Sequence, residues 1–183
     1  MGLFHSLRMR IHKNHVEKAL RAHSAQTGSI NLEEAHVIGI LFDATDLNRR
    51  RAAVGFAENL QQQGKLVFKL GYFHSRQADS NFTFKHFNKS QLDWTFRPRS
   101  RDVDEFLSRK FDILINLDPR TRPHSEYLAA KAKASLKVGP RASRLDIYDL
   151  MVEASRKDDS ASFVNQVAEI LEKTNKRHEE TEI

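Results

Sequence analysis

No cysteine occurs in the 183 residues, so disulfides, zinc–thiolate centres and thiol nucleophiles are excluded. No apolar run approaches the roughly 20 residues that a bilayer-spanning helix needs. The first residues lack the continuous apolar stretch and small-residue cleavage site of a secretory signal. A cytoplasmic protein is the expectation from these absences. Nucleotide fingerprints are missing as well. The first strand-to-helix turn carries neither Gly-x-Gly-x-x-Gly nor Gly-Lys-Ser/Thr, so no backbone cradle for a pyrophosphate is written there. There is no Gly-x-Ser-x-Gly elbow to carry a nucleophilic serine. No cofactor is implied.

What the chain does have is charge. Apolar residues reach 39% and charged residues 30%, a balance that predicts a compact centre with exposed basic segments. Lys and Arg number 30 against 24 Asp and Glu, a formal net charge of +6. Such an excess favours polyanionic partners, either nucleic acid or an anionic membrane face, and competes with simple solubility as the explanation.

The spacing divides the chain into a basic N-terminal helix and linker over 1–35, an α/β domain over 36–175, and a polar tail over 176–183. In the first segment Leu3, Leu7 and Ile11 recur every four residues, with Val16 and Leu20 as a second row. Arg8, Arg10, Lys13, Lys18 and Arg21 face a single acid, Glu17. Val37 to Phe42 is an unbroken apolar run, the mark of a strand covered on both faces. Asp46 is placed to cap a helix that turns Ala53, Phe56, Ala57 and Leu60 inward and stops at Gly64.

Leu66 to Phe73 reads as a second strand, with Leu66, Phe68 and Leu70 alternating. From Ser75 to Arg101 the pattern weakens to irregular structure with at most one short strand. Asp102 is expected to cap a short helix through Phe106 and Leu107. Ile113 to Leu117 is the clearest strand, and after Pro123 a helix carries Tyr127, Leu128 and Ala132 to the sheet. Leu136 to Val138 is a short strand stopped by Gly139-Pro140. Ile147 to Val152 is a last strand, and Phe163, Val167, Ile170 and Leu171 mark a closing helix. Alternating strands and helices predict an α/β fold with one doubly wound, mostly parallel sheet, Rossmann-like.

FDILINL, the helix–strand unit YLAAKAKASLKVG, YDLMVE and Gln91-Leu92-Asp93-Trp94 together resemble a family of uncharacterised small Rossmann-like α/β proteins from Bacteroidota. The resemblance spans about residues 36 to 172 and implies the fold and a bacterial cytoplasmic setting, with no activity to carry over. Ala132-Lys133-Ala134-Ser135 departs from the family's Ser-Lys-Ala-Lys. A fainter similarity joins the same segments to the N-terminal half of heptosyltransferase-like glycosyltransferases. Those enzymes close a second domain over a sugar nucleotide, for which this chain has no room, so shared sheet geometry is the expectation. Met1-Gly2-Leu3-Phe4-His5-Ser6 matches an N-myristoylation pattern, which the bacterial resemblance reduces to coincidence.

Ligands of open parallel sheets bind at the carboxyl ends of the strands. That rule collects Arg49, Arg50 and Arg51 after the first strand, His74 and Arg76 after the second, Arg120, Arg122 and His124 after the clearest, and Arg141 and Arg144 after the next. Guanidinium forks match phosphate oxygens two at a time, so Arg49, Arg50, Arg51, Arg120, Arg122, Arg141 and Arg144 are candidate anion ligands. Asp43 and Asp118 could face each other as a Mg²⁺ or acid–base pair. The plainer reading makes them caps, and Asp43-Ala44-Thr45-Asp46 lacks the Asp-x-Asp spacing of haloacid-dehalogenase-type phosphotransferases. No metal set is evident.

Arg97, Arg99 and Arg101 interleave with Phe82, Phe84, Phe87, Trp94 and Phe96. Such mixing suits RNA, whose bases stack on aromatics while cations meet phosphates. A satellite core under a long loop explains the same aromatics. With Arg8, Arg10, Lys13, Lys18 and Arg21 these form a candidate nucleic-acid set. The leading expectation is a non-enzymatic protein that offers a basic surface and N-terminal arm to RNA or a ribonucleoprotein such as the ribosome. Two others compete: a small phosphate- or sugar-nucleotide-binding enzyme domain, and a peripheral adaptor resting its N-terminal helix on an anionic membrane surface.

Overall fold

In a computed structural model that describes residues 2–23, 30–75, 82–141, 146–154 and 160–179, the chain opens with helix α1, Gly2–His23. β1, Val37–Asp43, follows, then α2, Leu47–Gln62, and β2, Leu66–Phe73. Asp46 caps α2 by accepting from the Asn48 and Arg49 amides at 3.0 Å each. Past the end of α2 the backbone turns at Gly64, whose φ of 82° is open to glycine. A short strand β3, Lys85–Asn88, and one 3₁₀ turn, Lys89–Gln91, are the regular structure described between Phe82 and helix α3, Arg101–Leu107.

The cap of α3 is Ser100, whose Oγ accepts from the Val103 amide at 3.3 Å. Asp102, expected as the cap, lies inside the first turn, where its carboxylate takes the His86 amide and the Lys85 ammonium instead. β4, Lys110–Asn116, leads to α4, Pro123–Lys131, with Pro123 at the first helical position where its missing N–H costs nothing. β5 is Lys133–Pro140, longer than the expected Leu136–Val138. β6 is only Leu150–Val152, because Ile147 and Tyr148 bury their side chains from irregular backbone. The closing helix α5 runs over Ser160–Glu179, about two turns beyond Leu171 and into the segment expected as a tail.

The six strands form one sheet in the order β3-β2-β1-β4-β5-β6, and every neighbouring pair is parallel. This is the Rossmann order, with its reversal of direction between β1 and β4. Both faces are covered, as the unbroken apolar runs require. On one face Ile38, Ile40, Ile113 and Ile115 meet Ala53, Ala57 and Leu60 of α2 and Phe163, Val167 and Leu171 of α5. On the other, Leu41, Leu70, Phe111 and Leu114 meet α3 through Val103 and Phe106 and α4 through Leu128 and Ala129. β2 is covered on both faces too: Leu66 is open, while Val67 packs on the first face and Leu70 on the second.

Helix α1 is not a free arm. It lies on α4, and its Val16 and Ala19 belong to the second core. His12 is 2% exposed, and its Nδ1 donates to the Thr95 carbonyl at 3.1 Å, which puts the proton on Nδ1 because a carbonyl only accepts. Ahead of the expected boundary at residue 35, Leu32 and Ala35 are buried as well, in the first core.

Candidate anion-binding site

β1 ends at Asp43 and β4 is followed by Asp118. Leu41 and Asn116 are partners in the β1–β4 register, so these aspartates stand side by side where the strand order reverses. Both are 3% exposed. Asp43 Oδ1 accepts the Thr45 amide at 3.0 Å, and Oδ2 takes Arg49 Nη1 at 3.2 Å, Arg122 Nη2 at 3.0 Å and Arg120 Nη2. Asp118 accepts the Arg120 amide at 3.1 Å, Arg120 Nε at 3.3 Å and Arg122 Nε at 3.2 Å. The sheet forces this meeting. α2 begins close after β1 and supplies Arg49, while the loop between β4 and α4 supplies the other two arginines.

Neighbouring groups hold that loop. Asn116 Nδ2 donates to Tyr148 Oη at 2.7 Å, and Asn116 Oδ1 accepts the Asp118 amide at 3.1 Å. Tyr72, paired with Asp43 across β1 and β2, lies 5.4 Å from the Arg122 guanidinium carbon and 3.9 Å, centroid to centroid, from the His124 ring. Its Oη meets His74 Nδ1 at 3.2 Å, and the His74 amide donates to Thr45 Oγ1 at 2.9 Å.

Burial pushes the Asp43 carboxyl up, but hydrogen bonds from Thr45 and the charges of Arg122 and Arg120 outweigh it and hold Asp43 below the usual carboxylate range. Burial prevails at Asp118, which is pushed up despite the same two arginines. His124 is driven down to about 3, first by burial and then by Arg122, so it is neutral at pH 7. Three guanidinium groups thus converge on two carboxylates. Arg120 and Arg122 use Nε and Nη2 in these contacts, which leaves the Nη1 of each outside them. Such a cluster can accept one oxyanion.

The remaining expected anion ligands scatter. Arg50 lies over the rings of Phe82 and Phe73 at 5.0 and 5.9 Å. Arg51 lines a groove between α2 and α5. Arg141 meets Glu153 at 3.7 Å on the open surface. Arg144 and Arg76 lie outside the described residues. Tyr72 and Thr45 were not picked out by the sequence. Their only signal was position, at the ends of the runs that become β2 and β1.

Part of the expected nucleic-acid set does come together. Arg8 lies over the Phe96 ring at 3.4 Å, with Phe96 in a left-handed conformation, φ 66°, that bulky residues rarely adopt. Arg97 and Arg99 both bind Asp93, at 3.0 and 3.3 Å. Burial works against ionisation of Asp93, yet Thr95 and Arg97 hold it far below the usual range. Arg97, Arg99, Arg101, Asp104 and Lys131 line a groove of about 420 Å³ between the 97–101 loop, α3 and α4. Lys13 pairs with Glu17 at 3.6 Å. Lys18 and Arg21 are exposed on α1. Among the described residues no cluster of His, Asp and Glu has the geometry of a metal site, and no helix is long and apolar enough to cross a membrane.

Compared with known proteins, residues 8–174 match the model of a family described as "Family of unknown function (DUF6913)". No curated protein matches. Among solved structures, the chain is similar in shape to an Escherichia coli heptosyltransferase, WaaC, with ADP, at 10% identity and a TM-score of 0.46, over 73% of this chain and 46% of that one. It is also similar to an exopolyphosphatase-related protein from Bacteroides fragilis, at 14% identity and a TM-score of 0.45, over 87% of this chain and 44% of that one. The chain spans less than half the length of either.

Proposed function

The chain belongs to the DUF6913 family, and from that premise we propose that its domain binds a small phosphate-bearing ligand at the carboxyl ends of β1 and β4. The observation that carries this reading is the convergence of Arg49, Arg120 and Arg122 on Asp43 at the point where the strand order reverses. The carboxylates orient the guanidinium groups in advance, so little ordering remains when an anion arrives. Asp118, with its raised affinity for a proton, beside an ionised Asp43 is the group able to act as an acid.

Thermal unfolding of the full chain with inorganic pyrophosphate, ADP and a UDP-sugar tests the proposal. Binding at a hundredfold excess over Kd stabilises by about 2.7 kcal/mol, a rise of several degrees for a chain of this size. The rise should vanish in Arg49→Ala and Arg120→Lys. A flat response to all three ligands, or an undiminished rise in both variants, would count against it.

A second reading, contact with RNA, draws on one observation: the groove lined by Arg97, Arg99, Arg101 and Lys131. Asp93 already neutralises part of that charge. Binding to single-stranded RNA that falls steeply with salt and is lost in Arg101→Glu/Lys131→Glu would favour it. Salt-independent or absent binding would not.

A further inference from the structure

The first turns of α1 stand clear of the rest of the molecule. Leu3 is 88% exposed, Phe4 86% and Leu7 51%, and with Ser6 and Arg10 they line one apolar surface hollow. Three large apolar side chains left in water on adjacent turns are costly, at roughly 25 cal/mol per Å² of apolar surface. Their grouping marks a contact surface rather than scattered surface residues.

The arrangement around the helix says what covers it. At about 100° per residue, Leu3, Leu7, Ile11 and Phe4 fill an arc of about 100°. Arg10 lies about 20° outside one edge of that arc, exposed, whereas Arg8, about 40° outside the other edge, is held over the Phe96 ring. Lys13 follows on the Arg10 side. No acidic residue occurs from Gly2 to Val16. Farther along, Val16, Ala19 and the buried His12 fasten the helix to α4, so the tip projects from a fixed base. An exposed apolar stripe with Arg10 and Lys13 along one edge fits a surface that is both anionic and apolar. RNA supplies the first property and lacks the second, since Leu3 and Leu7 have no ring to stack on a base. An anionic bilayer supplies both.

We infer that the tip of α1 docks on an anionic membrane surface, with Leu3, Phe4 and Leu7 inserted at the level of the headgroups and Arg10 and Lys13 against lipid phosphates. The helix lies on the bilayer and does not cross it, in keeping with the want of any spanning helix among the described residues. This docking is independent of the ligand site at the strand ends.

The experiment is flotation of the full chain with phosphatidylcholine vesicles, alone and with phosphatidylglycerol added. The expected result is flotation with the anionic vesicles, much less with neutral ones, and a loss of at least about tenfold in Leu3→Ser/Phe4→Ser. That variant should keep its thermal midpoint because both side chains are exposed. Arg10→Glu should weaken flotation and raise its sensitivity to salt. The inference is overturned if anionic vesicles leave the chain at the bottom of the gradient, or if the double variant floats as well as the parent. It is overturned equally if the double variant instead abolishes self-association or RNA binding while vesicles bind neither form.

Discussion

Asp43 and Asp118, on neighbouring parallel strands, are bridged by the same two arginines: Arg120 and Arg122 each reach both carboxylates, through Nη2 on one side and Nε on the other. The loop between β4 and α4 is thereby tied to the end of β1. Each member of the cluster is costly to remove alone, because a buried charge that loses its partner is left unsolvated.

Asp43→Asn makes that dependence measurable. The variant leaves three guanidinium groups facing one carboxylate. We expect a loss of about 3 kcal/mol in urea unfolding. The same change removes the carboxylate that orients the three arginines, so pyrophosphate should stabilise the variant less than the parent. Equal stabilisation of the two would indicate that the anion binds elsewhere.

Acidification should act through His124 before it reaches the carboxylates. The folded-state pKa of His124, about 3, lies below the ordinary value near 6.5. The unfolded chain therefore binds more protons between those values, and stability falls as pH falls. The His124 contribution is full above about pH 6.5 and is lost progressively on the way down to about 3, with a slope of up to about 1.4 kcal/mol per pH unit. Asp43, also depressed, adds a loss of the same sign below about pH 4. Asp118, raised by burial, has the opposite sign and offsets part of the fall. In His124→Gln the slope of unfolding free energy between pH 6.5 and 4 should flatten; an unchanged slope would assign it to other groups.

Gly139 sits against a buried ring. A Cβ added there would lie 2.4 Å from Tyr148 Cε1 and 2.6 Å from its Cζ, and Tyr148 is pinned by Asn116. Gly139→Ala should cost about 1–3 kcal/mol and disturb the Asn116–Asp118 hydrogen bond beyond it. Circular dichroism melts of Gly139→Ala and Gly55→Ala compare the two, since a Cβ at Gly55 meets nothing within 4 Å and helix propensity alone should make that change neutral or stabilising.

The docked half of α1 gives a fourth test. Val16 is fully buried, so Val16→Ala should lower stability by about 1–3 kcal/mol, whereas Leu3→Ser at the exposed tip should leave it within about 0.5 kcal/mol. Similar effects at both positions would mean that α1 is not seated on α4.

The strands at the middle of the sheet were readable because burial on both faces demands unbroken apolar runs, as in Val37 to Phe42 and Ile113 to Leu117. The edges were not. β6 shrinks to three residues because Ile147 and Tyr148 contribute to the core without joining the ladder, and β5 begins in Lys133-Ala134-Ser135, whose composition hides a strand. Strand order depends on contacts that residue spacing does not encode. At the site, the location of Asp43, Asp118, Arg49, Arg120 and Arg122 followed from the rule for strand ends. Their mutual pairing did not, since a carboxylate after a strand looks the same whether it caps a helix, as Asp46 does, or anchors arginines, as Asp43 does. Arg8, Arg97 and Arg99 read as free cations until Phe96 and Asp93 were seen beneath them. α1 read as an arm because basic residues dominate it; the row that includes Val16 was visible, but spacing does not say that it packs on α4.

The most direct test of the ligand site is a backbone-amide NMR titration of the full chain with inorganic pyrophosphate. The account predicts saturable shifts concentrated at Ala44 to Arg49 and Asp118 to His124, the two segments around the shared carboxylates. Shifts confined to α1 and the 93–101 loop, or none at millimolar pyrophosphate, would contradict it.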